Sequence, residues 1–276
     1  LRKQNQDDLR EQVAVLTAEP VEQQKTDLFL QPLNQGIHER LDRLGYDQVW
    51  FAASDWKGKA KAFHKMIRTR GFRGLVCCPY LPVEILDAGD WRDVAVVNAG
   101  YLHDQNRMHQ AIPDQFHNLY LLLESLREKG YHRIGFLTTW PIDERVKHRW
   151  LSAFLGFQFR GTIGDVPPLI RVDGGVTKKN FQDWCGCHKP DAVITTRYEP
   201  MTWTAERGFP GPGPEDLYCP GVSSPHGPFQ GIDEQVALVA AAAVDLVTSQ
   251  MNWNECGLPE TPKTILIPGK LLTKKA

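Results

Sequence analysis

Several absences narrow this chain before any motif does. Net charge is nearly missing: 32 Lys and Arg stand against 33 Asp and Glu, leaving −1. No general basic field is therefore available to hold a phosphate backbone, and the chain by itself is a poor DNA binder. No apolar run of about 18 residues is visible, and no charged n-region precedes a hydrophobic h-region, so neither a membrane span nor a signal peptide is read and no membrane partner is expected. The first residue is Leu1 rather than Met, which suggests a trimmed or processed chain and makes the missing leader weak evidence. There is no P-loop, no glycine fingerprint with its helix and no Ser-His-Asp order. An enzyme is not expected, nor a cofactor.

Cysteine is sparse. Of the six, Cys77 and Cys78 are adjacent in an apolar strand where they cannot easily form separate staples, which suits a reducing cytoplasm. Cys185-Gly-Cys187-His188 offers thiolates and an imidazole, but no second ligand pair stands at usable spacing for a four-ligand zinc site. No metal is expected. His103, His109 and His117 have no paired nucleophile and read as loop polar groups.

What is present begins with Asp114 to Leu137, DQFHNLYLLLESLREKGYHRIGFL. Phe116, Leu119, Leu122, Leu123 and Leu126 make one side of a helix apolar. Asp114 can accept the free amides of the first turn, Arg127 and Lys129 suit the negative end of the helix dipole, and Gly130 supplies the left-handed stop. Ile134 to Leu137 is a short apolar run of the kind buried on both faces of a parallel sheet.

At 276 residues the chain is long enough for about two domains and buries roughly 70–75% of its unfolded surface. Residues 1 to 12 read as a solvated leader. Strands are expected at 13–18, 49–53, 74–78 and 94–98, with helices over 33–44, closed by Gly45, and 60–67, stopped by Gly71. Such alternation means right-handed crossovers and a parallel sheet. A second lobe follows the Asp114 helix, with a helix around Val146 to Phe157, strands at 169–172, 192–195 and 217–222, and a helix around Lys178 to Cys185. Val236, Val239, Ala240, Ala243 and Val247 give a long small-residue face suited to a sheet or a partner helix. Thr264 to Leu272 reads as one last edge strand, with Pro268 tolerated there.

The run Asp114, Leu126, Gly130, Tyr131, Arg133, Ile134, Phe136, Leu137 resembles the middle of the effector-binding domain of the LacI/GalR family of bacterial transcription regulators. Gly36 to Tyr46 is similar to that family's first helix, Arg70 to Pro79 to its third strand, Pro190 to Thr195 to the strand before its Asn-Asp pair, and GIDEQVALVAAAAVDLV with PKTILIPGKLL to its returning helix and closing strand. The resemblance spans Val13 to Leu272. It implies two Rossmann-like lobes with parallel sheets, the periplasmic-binding-protein-like type I fold, joined by three crossovers near Pro113, Gly231 to Asp233 and Thr261 to Thr264. The N-terminal lobe would be 13–113 with 233–262, and the C-terminal lobe 114–231 with 263–274. A sugar or sugar-derived effector would lie in the cleft between lobes. The family's helix-turn-helix headpiece and hinge do not fit before Val13, so the chain reads as the sensor half, reaching operator DNA through a missing N-terminal domain and acting as a cytoplasmic homodimer. The runner-up is an exported sugar-binding protein of a transporter.

Carried over by position, the resemblance implies Cys78 and Asn98 at strand ends, Asp114 at the first crossover and Asp233 at the returning one. It also implies Arg149 as the ligand-gripping arginine with Arg145 one turn earlier as its rival, Arg197-Tyr198 in place of the family's Asn-Asp, and Ser223 in place of its Asp. Those last exchanges raise positive character and point to a carboxylate- or phosphate-bearing effector such as a sugar acid, held bidentately by Arg149 and Arg197. An ion pair of Arg197 with Glu199, Asp114 or Asp233 is the competing expectation. Trp140, Trp203 and Phe29, on expected loops, are candidates for stacking on a sugar face.

Overall fold

A computed structural model describes residues 10–87, 89–101, 107–172, 175–222 and 230–272. In chain order the elements are β1 (Gln12–Thr17), α1 (Leu30–Leu44), β2 (Asp47–Ala52), α2 (Ala60–Thr69), β3 (Gly74–Cys77), α3 (Val83–Asp87), β4 (Ala95–Ala99) and β5 (His109–Pro113). There follow α4 (Gln115–Glu128), β6 (Ile134–Thr139), α5 (Trp140–Arg145), α6 (Arg149–Phe159), β7 (Leu169–Arg171), α7 (Lys178–His188), β8 (Ala192–Thr195), α8 (Glu199–Thr204), β9 (Leu217–Val222) and β10 (Gln230–Asp233). Last come α9 (Val236–Trp253), β11 (Thr264–Ile267) and β12 (Lys270–Leu272). The chain divides into two compact units, Leu1–Ile112 with Val236–Leu266 and Pro113–Gln235 with Ile267–Ala276.

The first unit carries a six-stranded sheet in the order β11-β5-β4-β3-β1-β2, and the second one in the order β12-β10-β9-β8-β6-β7. Pairings from β1 to β5 and from β6 to β10 are parallel, while β12 runs antiparallel to β10. The two units thus repeat one strand order, and each has a switch point, between β1 and β3 and between β6 and β8, where open α/β sheets hold ligands at their carboxyl edge.

Local sequence accounts for the ends. Asp114 caps α4 by accepting from His117 N at 3.1 Å, and Gly130 takes the left-handed conformation after it. Asp27 caps α1 by accepting from Phe29 N and Leu30 N at 2.9 and 2.8 Å. Arg133, a residue of the family-like motif, donates from Nε to Lys189 O at 3.1 Å and from its fork to His188 O, closing the C-terminus of α7. Thr177 and Asn180 form a reciprocal capping box at the start of α7. Replacing Thr177 by Ala should therefore cost about 1 kcal/mol, read as a lower urea midpoint that Ser restores.

Four expectations are corrected. The 264–272 run is two edge strands: β11 joins the first sheet and β12 the second, because Pro268 has no N–H to continue a ladder. The helix expected around Val146 starts at Arg149, since Lys147 and His148 both adopt left-handed backbone, φ 57° and 54°. Phe116, counted in the apolar stripe of α4, is exposed and stacks on Tyr120 at 6.1 Å. Finally, α9 is by length and composition apolar enough to cross a bilayer, although Val236, Val239, Ala240, Ala243 and Val247 are buried and the helix packs on α1, β3 and β4. A Cβ on Gly36 of α1 would lie 2.8 Å from Ala237 O, so the two helices approach as closely as small residues allow.

Two histidines of the first unit have their pKa lowered. Burial pushes His64 below its ordinary value, against a hydrogen bond to Ile85 O at 2.6 Å. Burial and Lys263 lower His109, with Glu255 opposing, and its Nδ1 accepts from Lys263 N at 2.8 Å. A lowered folded pKa means the unfolded chain takes protons first as pH falls, so this stability is present above the usual histidine range and lost below it. The urea midpoint should drop between pH 7.5 and 5.5, and drop less in His109→Gln; parallel pH dependences would refute this.

Candidate functional site

At the carboxyl edge of the first sheet stand Thr17 and Cys77, the last residues of β1 and β3, and Asn98, one residue before the end of β4. Cys78 follows β3 and donates its backbone N–H to Leu16 O at 2.9 Å; burial pushes its thiol up to about 12, so it is an inert thiol. Thr17 Oγ1 donates to Glu19 O at 2.7 Å. Beside it a cavity of about 350 Å³ is lined by Thr17, Glu22, Trp50 and Asp55, acids and a ring. Asn98 is 1% exposed, and neither Nδ2 nor Oδ1 has a hydrogen-bond partner among the described residues. Buried amides are nearly always bonded, and an unmet donor or acceptor costs about 1–3 kcal/mol, so this side chain calls for a polar group.

The roomier cavity of about 650 Å³ is elsewhere. It lies by α2 and the amino ends of β3 and β4, where Arg68 binds Asp93 and Asp90 at 2.8 and 3.4 Å. Arg68 and these two acids answer one another, and the cavity lies at the wrong edge of the sheet for a strand-end ligand.

At the carboxyl edge of the second sheet, Thr138 and Thr196 hydroxyls meet at 2.9 Å. Arg197 is engaged by Glu199: Nε donates to Oε2 at 3.1 Å and Nη2 to Oε1. Burial alone would raise the Glu199 carboxyl, but the backbone N–H groups of Glu199 and Tyr198 together with Arg197 hold it below the usual carboxylate range. The competing expectation for Arg197 is the one realised. Tyr198 is 54% exposed at the start of α8. Trp203, expected on a loop, lies in α8, partly buried, with its ring 6.0 Å from Phe181 of the core cluster.

Trp140, also expected on a loop, opens α5 with its ring 4.5 Å from that of His148. Arg145 ends α5 and Arg149 begins α6, so the rivals lie on different helices rather than one turn apart. Arg149 Nε is shut off from solvent with no hydrogen-bond partner among the described residues. Asp114 is used as a cap, and Asp233 accepts from Gln235 N at 2.8 Å. Phe29 flanks the start of α1. Ser223 and His103 lie outside the described residues.

Sequence reasoning missed the buried polar groups behind these. Asp143, fully buried, accepts from His148 Nδ1 at 2.9 Å and Leu151 N at 3.2 Å. Glu234, 5% exposed, accepts from Gln115, whose Oε1 accepts from Trp150 Nε1 at 2.9 Å. Acids inside an α/β unit have no periodic signature. Cys185 is buried and Cys187 exposed, as i and i+2 on α7 must point apart, so the two thiols do not converge.

No protein-family model matches the sequence, and no curated protein matches it. Solved structures do match in fold. A putative LacI-family transcriptional regulator from Rhizobium etli is 14% identical with TM-score 0.69, the match covering 95% of this chain and 97% of that one. The trehalose repressor from Escherichia coli is 15% identical with TM-score 0.64, covering 95% and 99%. A periplasmic binding protein/LacI transcriptional regulator from Alkaliphilus metalliredigens QYMF, complexed with D-xylulofuranose, is 14% identical with TM-score 0.61, covering 95% and 97%. The chain has the fold of LacI-type regulator domains, two largely parallel six-stranded sheets, as the resemblance implied.

Proposed function

We propose that this chain is the effector-sensing domain of a LacI-type transcription regulator, taking a sugar or sugar-derived molecule at the carboxyl edges of its sheets. The observation that carries the reading is Asn98, a buried amide near the end of β4 whose side chain has no hydrogen-bond partner among the described residues, where a hydroxyl-rich ligand would meet both its donor and its acceptor. The fold shared with a trehalose repressor and a D-xylulofuranose-bound regulator supports a sugar as the class. Since Arg197 is matched by Glu199, the second unit's cation for a ligand carboxylate is Arg149, with Arg145 as neighbour. Asp114, Tyr198, Ser223 and Asp233 complete the polar set and Trp140 the ring.

Binding would favour one arrangement of the units over another, a population shift passed to a DNA-binding domain outside this chain that engages operator DNA. The working form is a cytoplasmic homodimer, and the free cysteines suit a reducing compartment. Calorimetric titration with D-glucuronate, D-galacturonate and the matching neutral hexoses tests the reading. A uronate should bind more tightly than its hexose. Tight binding of neutral sugars alone overturns the acidic ligand, and no binding of any sugar or sugar acid overturns the sensing role.

A further inference from the structure

The corner between α5 and α6 is built at a conformational cost and leads to an arginine that nothing in the corner binds. Lys147 and His148 are consecutive non-glycine residues in the left-handed region, which L side chains adopt reluctantly. What holds them is Asp143. Its backbone O accepts from Val146 N at 3.2 Å and His148 N at 2.9 Å, and its fully buried carboxylate accepts from His148 Nδ1 and Leu151 N. His148 itself lends no side-chain cap to α6, so the cap comes from the preceding helix. The Trp140 ring lies 4.5 Å from the imidazole, tilted by 42°. One residue further on, Trp150 is tied through Nε1 to Gln115 of α4. Both neighbours of Arg149 are therefore pinned, while its own Nε, buried, bonds nothing among the described residues.

We propose that Asp143 and His148 are positioning residues for Arg149, the buried carboxylate locking the left-handed corner so that the guanidinium starts from one fixed place. This rests on Arg149 as a ligand residue in the function proposed above, but the positioning itself is measurable without a ligand. A loose arginine would lose rotamer entropy on gripping an acid, whereas one launched from a locked corner loses less.

The test uses the whole chain, 15N-labelled, with the Arg149 Nε–H signal assigned through Arg149→Lys. In Asp143→Ala this signal should shift or broaden, while that of Arg133, whose Nε is bonded to Lys189 O, stays as an internal reference. Asp143→Asn keeps an oxygen for Leu151 N and should restore most of the wild-type position. Affinity for D-glucuronate should fall about tenfold in Asp143→Ala and stay within about threefold in Asp143→Asn. If Asp143→Ala does not fold, His148→Gly, which tolerates the left-handed backbone but loses the imidazole bond, should displace the same signal. An unmoved Arg149 signal in whichever of these two variants folds, or an asparagine variant as damaging as alanine, overturns the proposal. Should the signal move while wild-type protein binds no D-glucuronate, positioning stands and the acidic-ligand reading fails.

Discussion

Gly231→Ala should cost the fold about 3 kcal/mol or more and leave the second sheet without a normal β10. Gly231 has φ +146°, and a Cβ there would lie 1.9 Å from Cys219 O, a backbone atom of the neighbouring strand that cannot step aside. The ladder between β9 and β10 shifts register between Gly231 and Asp233, with the extra residue on β9 between Cys219 and Val222, so this glycine faces the β9 bulge just before Asp233 and the buried Glu234. Strain of the backbone and the overlap each contribute about 1–3 kcal/mol. Urea unfolding followed by far-UV circular dichroism reads the effect; a midpoint within error of wild type would show that β10 can relax away from β9.

Arg149→Ala should lower affinity for D-glucuronate about 100-fold, with the neutral hexose affected much less. The difference is the reason for expecting a carboxylate: a charge-assisted pair brought out of water loses roughly 2–3 kcal/mol when one side is removed. Arg149→Lys, keeping charge but not the planar fork, should recover only part of this. Equal losses for acid and hexose would mean that the arginine serves hydroxyls, and no loss would remove it from the site.

Helix α4 was readable because its capping Asp114 and stopping Gly130 act through their own neighbours in sequence. Phe116 was misread because periodicity fixes the angle around a helix axis, not how far along it the packing neighbour extends. Strand β5, His109–Pro113, escaped notice since five residues with two polar ones show no clear period. The left-handed pair Lys147–His148 carries neither glycine nor asparagine, so its break of the expected helix has no local signal. At the site, Arg197 could be weighed against Glu199 in advance, but only geometry decides which acid an arginine meets. Asp143 and Glu234 were invisible because a carboxylate's burial depends on donors brought from distant segments.

The placement of α9 also bears on how the chain is made. The helix that covers β3 and β4 of the first unit is encoded after the whole of residues 113–235. A ribosome working at about 5–20 residues per second therefore leaves Val76 and Val97, on the sheet face away from α2, uncovered for on the order of ten seconds. The first half of the molecule cannot finish folding before the second half has been synthesised, and during that wait its wet sheet face is the surface that a chaperone or a neighbouring nascent chain would find.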